Sequence, residues 1–182
     1  MTRGAWLVAA MLVALFAPAC APDPASSPSI TTLDVAGSLP ETGSPAPDFV
    51  LKTLDGQTAR LSDYAGRPVL INFWASWCGP CRTEMPDLID AYEAHQASGL
   101  EVLAVNHTSL DVLDDIDAFV SEFQMPFPIL LDERGEAVEA YGLQGLPTSF
   151  FIDPEGVLRV VNVGPMTADD IEQHLAKILP AN

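Results

Sequence analysis

Basic residues are scarce in this chain: eight Lys and Arg stand against 25 Asp and Glu among 182 residues, a formal net charge of −17. So acidic a surface repels phosphate backbones, which excludes nucleic acid as a partner and leaves two readings of the charge, affinity for basic proteins or plain solubility. Cysteine is scarce too. With three thiols, three scattered histidines (His95, His107 and His174) and no second C-x-x-C or paired His, the chain lacks the ligands of a structural zinc site, and no metal is expected. No internal repeat is present. Apolar residues are not lacking: at 48% hydrophobic the chain is not a disordered one, and its length suits one domain with a sizeable core plus appendages.

The appendages lie at the N-terminus. Arg3, the uncharged run Ala5 to Phe16 and the small residues Ala17-Pro18-Ala19-Cys20 follow the pattern of a secretory signal over residues 1–19. The apolar run is short for a spanning helix, although counting on to Ala21 approaches the lower limit of about 17 residues, so an uncleaved anchor stays open beside cleavage. Ala17-Pro18-Ala19 suits an ordinary signal peptidase, while Ala19-Cys20 resembles a lipoprotein site with Cys20 as the lipidated residue. Lipidation would account for the third cysteine of an exported chain. Residues 20–44 are rich in Pro, Ser, Thr and Ala and read as a tether, reaching on the order of 30 Å.

From residue 45 to 182 the pattern is that of a folded α/β domain. Phe49-Val50-Leu51 and Thr58-Ala59-Arg60-Leu61 flank an Asp55-Gly56 turn and predict a hairpin; Val69 to Phe73 reads as a buried strand. Met85, Leu88, Ile89 and Tyr92 give a helix that Pro86 should kink, and Leu100 to Val105 the next strand. Val112, Ile116, Phe119, Val120 and Phe123 predict an amphipathic helix whose outer face carries Asp111, Asp114, Asp115 and Asp117. Ile129 to Leu131 suggests a strand, Glu136 to Tyr141 a short helix, and Thr148 to Ile152 with Val157 to Val161 a second hairpin. Thr167 caps a last helix running to Leu179. Alternating strands and helices ending in a hairpin predict a three-layer α/β/α sandwich on a mixed sheet.

The chemistry is concentrated in Trp77-Cys78-Gly79-Pro80-Cys81, directly after the buried strand. Two thiols at this spacing, opening a helix, can cycle between dithiol and disulfide. The helix's exposed N–H groups and positive dipole end stabilise a thiolate on Cys78, while Pro80 presets the helical φ where its missing donor has no partner to lose. Cys78 is therefore the expected nucleophile and Cys81 the resolving thiol.

This run resembles the thioredoxin active site. With Ala46-Pro47-Asp48-Phe49, Leu61 to Pro68, Arg82-Thr83-Glu84-Met85-Pro86 and Gly145 to Asp153, the chain resembles the extracytoplasmic, membrane-tethered thioredoxin-like reductases (TlpA/ResA-like) over residues 45 to 180. The resemblance implies a thioredoxin fold with an N-terminal β-hairpin extension and a cis Pro147 facing the dithiol. It further implies docking of an extended substrate segment on Leu146 and Pro147, with Trp77, Gly79 and Pro80 alongside. Thioredoxins carry a buried Asp where this chain has Asn72, which cannot act as a base; Glu84 matches an active-site glutamate of the tethered reductases and inherits the proton-handling role. Trp74 reads either as a flank of the site or as a core aromatic. The implied partners are disulfide-containing exported proteins, apocytochrome c with its C-x-x-C-H site among them, and a membrane thiol donor. The membrane would be reached through the N-terminal lipid or anchor, the expected state is a monomer, and no cofactor is required. Two alternatives remain at this level: a copper-binding protein using Cys78, Cys81 and His107, and a redoxin-type peroxidase.

Overall fold

The computed structural model describes residues 37–180; the expected signal, Cys20 and most of the tether lie outside the described residues. Seven strands form one mixed sheet in the order β2-β1-β5-β4-β3-β6-β7. They are β1 (Val50–Thr53), β2 (Thr58–Arg60), β3 (Val69–Trp74), β4 (Glu101–Asn106), β5 (Ile129–Leu131), β6 (Thr148–Ile152) and β7 (Leu158–Val163). β3 runs parallel to β4 and antiparallel to β6. Paired on both edges and covered on both faces, it reads in sequence as a continuous apolar run rather than an alternating one.

Strand alternation divides the core into two. Leu70 and Trp74 of β3, Val102 and Ala104 of β4 and Phe151 of β6 face the helices α1 (Gly79–His95), α2 (Leu113–Phe123) and α4 (Ala168–Leu175). Val69, Ile71 and Phe73 turn to the opposite face, where α3 (Glu136–Ala140), Phe49 and Leu61 cover them. Tyr141 closes that second core: its ring lies 4.7 Å from Phe150 and 5.4 Å from Phe73, and its buried hydroxyl donates to the Pro47 carbonyl at 2.7 Å. Helices on both faces of a mixed sheet, with the β1–β2 hairpin added at one edge, make a thioredoxin-like fold.

Several boundaries differ from expectation. Val112 is the exposed residue before α2 rather than part of its apolar stripe. β7 continues to Val163, because Asn162 and Val163 pair with Ser149 and Thr148 after the apolar pattern has ended. α4 stops at Leu175, beyond which Ile178 stays in the core through turn hydrogen bonds; its cap is as expected, Thr167 and Asp170 bonding reciprocally. Of the stretch read as tether, residues 37–44 are described. Gly43 N–H donates to Leu158 O at 2.7 Å and Gln144 Nε2 to Gly37 O at 3.1 Å, while Gly142, at φ +57°, lies so close to Ser38 that a Cβ there would stand 2.2 Å from its carbonyl oxygen.

Candidate active site

β3 delivers the loop Ala75–Trp77 to the mouth of α1, where Cys78 is the N-cap residue. The Cys78 and Cys81 sulfurs are bonded at 2.04 Å, and Cys78 Sγ accepts the Cys81 N–H at 3.2 Å. Cys78 is the more accessible of the two, 4% exposed against 0% for Cys81, with Gly79 and Pro80 exposed beside it. Cys78 is therefore the sulfur more open to a partner, and a thiolate produced there on reduction would sit at the helix's unpaired N–H groups.

One turn into the helix, Glu84 is 1% exposed. Its carboxylate accepts from Asn72 Nδ2 at 2.8 Å and from the Met166 N–H at 2.9 Å. Burial pushes the carboxyl up to about 7, the two donors pulling it partway back and Asp87 adding a smaller upward push. Asn72 projects from β3 to the same side and also donates to Ser149 Oγ at 3.0 Å, leaving its own Oδ1 buried without a partner among the described residues. Asn72 thus meets the carboxylate as a donor, and burial raises the proton affinity of a carboxyl that stands one helical turn from Cys81.

The Leu146–Pro147 peptide bond is cis. Because β6 starts at Thr148 opposite Phe73, this bond lies at the sheet end to which β3 brings the cysteines. The Pro147 carbonyl takes the Gly164 N–H at 2.9 Å, whereas the backbone N–H and C=O of Leu146 enter no hydrogen bond among the described residues. Trp77 is largely exposed and its Nε1 donates to Leu110 O at 2.9 Å. Trp74 is a core residue, fully buried with its ring 4.6 Å from Phe119. The His107 ring is engaged elsewhere: its Nδ1 meets Ser109 Oγ at 3.0 Å, while its backbone N–H donates to Trp74 O. Among the described residues no group of three or more His, Cys, Asp and Glu is placed to hold a metal ion, so the copper set of His107, Cys78 and Cys81 is not assembled.

One site residue escaped the sequence reading. Asp111 does not lie on the outer face of α2; its half-buried carboxylate accepts from the Ser76 N–H at 2.7 Å, the Ser76 hydroxyl, Asn106 Nδ2 at 2.8 Å and the Val112 N–H at 2.9 Å. Burial acts to raise this carboxyl, and the donors from Asn106, Ser76 and Val112 outweigh it, holding it below the ordinary aspartate value. The loop before Cys78 is thereby pinned to the β4–α2 connection.

The description AhpC/TSA family matches residues 42–161. The thiol-disulfide oxidoreductase ResA of Geobacillus thermodenitrificans is 44% identical over 138 residues, 76% of this chain and 78% of that one. The thioredoxin-like protein YneN of Bacillus subtilis is 42% identical over 134 residues, 73% and 78% of the two chains. Among solved structures, a Chlorobium tepidum protein described as a thiol:disulfide interchange protein DsbE matches with a TM-score of 0.72 at 36% identity, over 79% of this chain and 100% of that one. StoA of Bacillus subtilis matches with a TM-score of 0.62 at 30% identity, over 73% and 98%. The family match spans the region built around Cys78 and Cys81, and relatives in sequence and in fold each cover about three quarters of the chain: the chain belongs to the AhpC/TSA family and is a thiol-disulfide oxidoreductase.

Proposed function

We propose that the protein works outside the cytoplasm, tethered through its N-terminal segment, and reduces disulfides of exported proteins, apocytochrome c with its C-x-x-C-H site being one such substrate. The reduced Cys78 thiolate attacks one sulfur of the substrate disulfide, forming a mixed disulfide and expelling the other substrate sulfur as a thiolate. Cys81 gives its proton to the Glu84 carboxylate and attacks Cys78 Sγ, releasing the second substrate thiolate. The substrate gains two electrons, and the enzyme is left as the Cys78–Cys81 disulfide until a membrane thiol donor restores it. Leu146, its backbone unpaired among the described residues beside Pro147, offers strand-type hydrogen bonds to an extended substrate segment, and Trp77 an apolar flank.

The observation that carries this reading is a buried carboxyl near neutrality behind a helix-mouth cysteine pair: it can accept and return one proton per turnover near pH 7. Export and tethering rest on residues 1–20; among the described residues no helix is long and apolar enough to cross a membrane. The reductase direction is tested by the equilibrium potential of the purified protein in glutathione buffers. A value below about −230 mV supports it, and one near −120 mV makes the protein an oxidant instead. The mass of the mature N-terminus decides between lipidated Cys20 and the other processing routes.

A further inference from the structure

Six large apolar side chains are exposed among the described residues, and four of them, Trp77, Leu110, Val112 and Leu113, come from the active-site loop, the β4–α2 connection pinned to it and the first residue of α2. Trp77 Nε1 is bonded to Leu110 O, and Asp111 holds both the Ser76 and the Val112 N–H, so these side chains stand on a braced platform immediately before Cys78. A surface held rigid before binding loses little conformational freedom when covered. Beyond it lie Asp114 and Asp115 in the first turn of α2, exposed and without a side-chain partner among the described residues. Arg82 of α1, which reaches α2, is already committed: it pairs with Glu122 and stacks on Phe119.

We propose that Leu110, Val112 and Leu113 form with Trp77 a docking platform for the substrate polypeptide, seating an apolar residue beside its disulfide while Asp114 and Asp115 receive a Lys or Arg of the same segment. This deepens the reductase reading and rests on it. The occupant follows from position and charge. A substrate sulfur bonded to Cys78 brings its own neighbouring residues over Trp77, and the acidic rim selects against acidic segments. A second copy of this chain is disfavoured because each copy carries a formal charge of −17.

The test uses the reduced full-length chain and two disulfide peptides matched in length and reduction potential. One carries Leu beside the cysteine and Lys three residues away, the other Ser and Glu; glutathione disulfide, too small to span the platform, is the reference. Exchange rates are followed by tryptophan fluorescence. The wild type is expected to oxidise at least about tenfold faster with the Leu/Lys peptide than with the Ser/Glu peptide. In L110S/V112S/L113S the ratio of the Leu/Lys rate to the glutathione disulfide rate falls about tenfold, and D114N/D115N flattens the salt dependence of the Leu/Lys rate. Equal rates on the two peptides, or an unchanged ratio in the triple variant, overturn the platform while leaving the reductase reading intact. Self-association lost in the triple variant overturns it in favour of a second copy. Failure of the wild type to exchange even with glutathione disulfide removes the reductase reading and the platform with it.

Discussion

Replacing Glu84 by Gln should change how the stability of the oxidised protein depends on pH, and by an amount the site itself sets. The folded protein holds a proton on Glu84 up to about pH 7, because the carboxyl is buried, whereas the unfolded chain releases it near the ordinary value of 4.5. A raised carboxyl means that the folded state binds more protons than the unfolded one between those limits. Its contribution is therefore fully present below 4.5, is lost as the pH rises, and levels off above 7. The interval corresponds to about 3 kcal/mol. Gln cannot titrate, so the variant lacks this slope.

The substitution itself has a structural cost that does not vary with pH. Gln keeps an acceptor for the Met166 N–H but presents an amide to Asn72 Nδ2; Asn72 can turn its unpartnered Oδ1 to receive it. Urea denaturation of wild type and E84Q, disulfide intact, at pH 5 and pH 8.5 separates the two effects. The stability of E84Q relative to wild type should rise by about 2–3 kcal/mol between those pH values, whatever its sign at pH 5. A difference constant to within about 0.5 kcal/mol would refute a carboxyl that titrates near neutrality and with it the proton-handling role.

Two further predictions concern bracing. Asp111→Ala removes the acceptor of four hydrogen bonds around Ser76, Asn106 and Val112, so thermal or urea denaturation should show a loss of about 1–3 kcal/mol, and the anisotropy of Trp77 fluorescence should fall as its loop loosens. Unchanged stability and anisotropy would mean that the loop is held by the β3–α1 geometry alone. Gly142→Ala puts a Cβ into the Ser38 carbonyl at a positive φ, and should cost at least about 1–2 kcal/mol or release residues 37–39 to proteolysis; a neutral result would show that this segment does not pack as described.

The legible parts of the fold were those whose causes are local. β3 reads as one apolar run because both of its faces are covered, and the C-x-x-C that follows marks the helix mouth in four residues. The cis isomer of Pro147 has no local signature and came from resemblance alone. Asp111 is not legible in sequence because an aspartate just before a helix looks the same whether it faces water or turns back. Its main partner, Ser76, is 35 residues away in sequence and reaches it only because β3 and β4 are parallel neighbours. Spacing places Val112 in the apolar stripe, yet the helix starts one residue later because Val112 is extended, at φ −115° and ψ 131°. In sequence Tyr141 is only a helix end; that its hydroxyl joins the chain at Pro47 depends on a contact 94 residues distant.

Trapping the mixed disulfide tests the central claim most directly. With Cys81→Ser the reduced protein should attack a disulfide substrate and stop, giving by mass analysis one adduct per chain, mapped to Cys78 and released by a reductant. No adduct, or one carried only on Cys20, would contradict the account of Cys78 as the sulfur that exchanges electrons with its substrates.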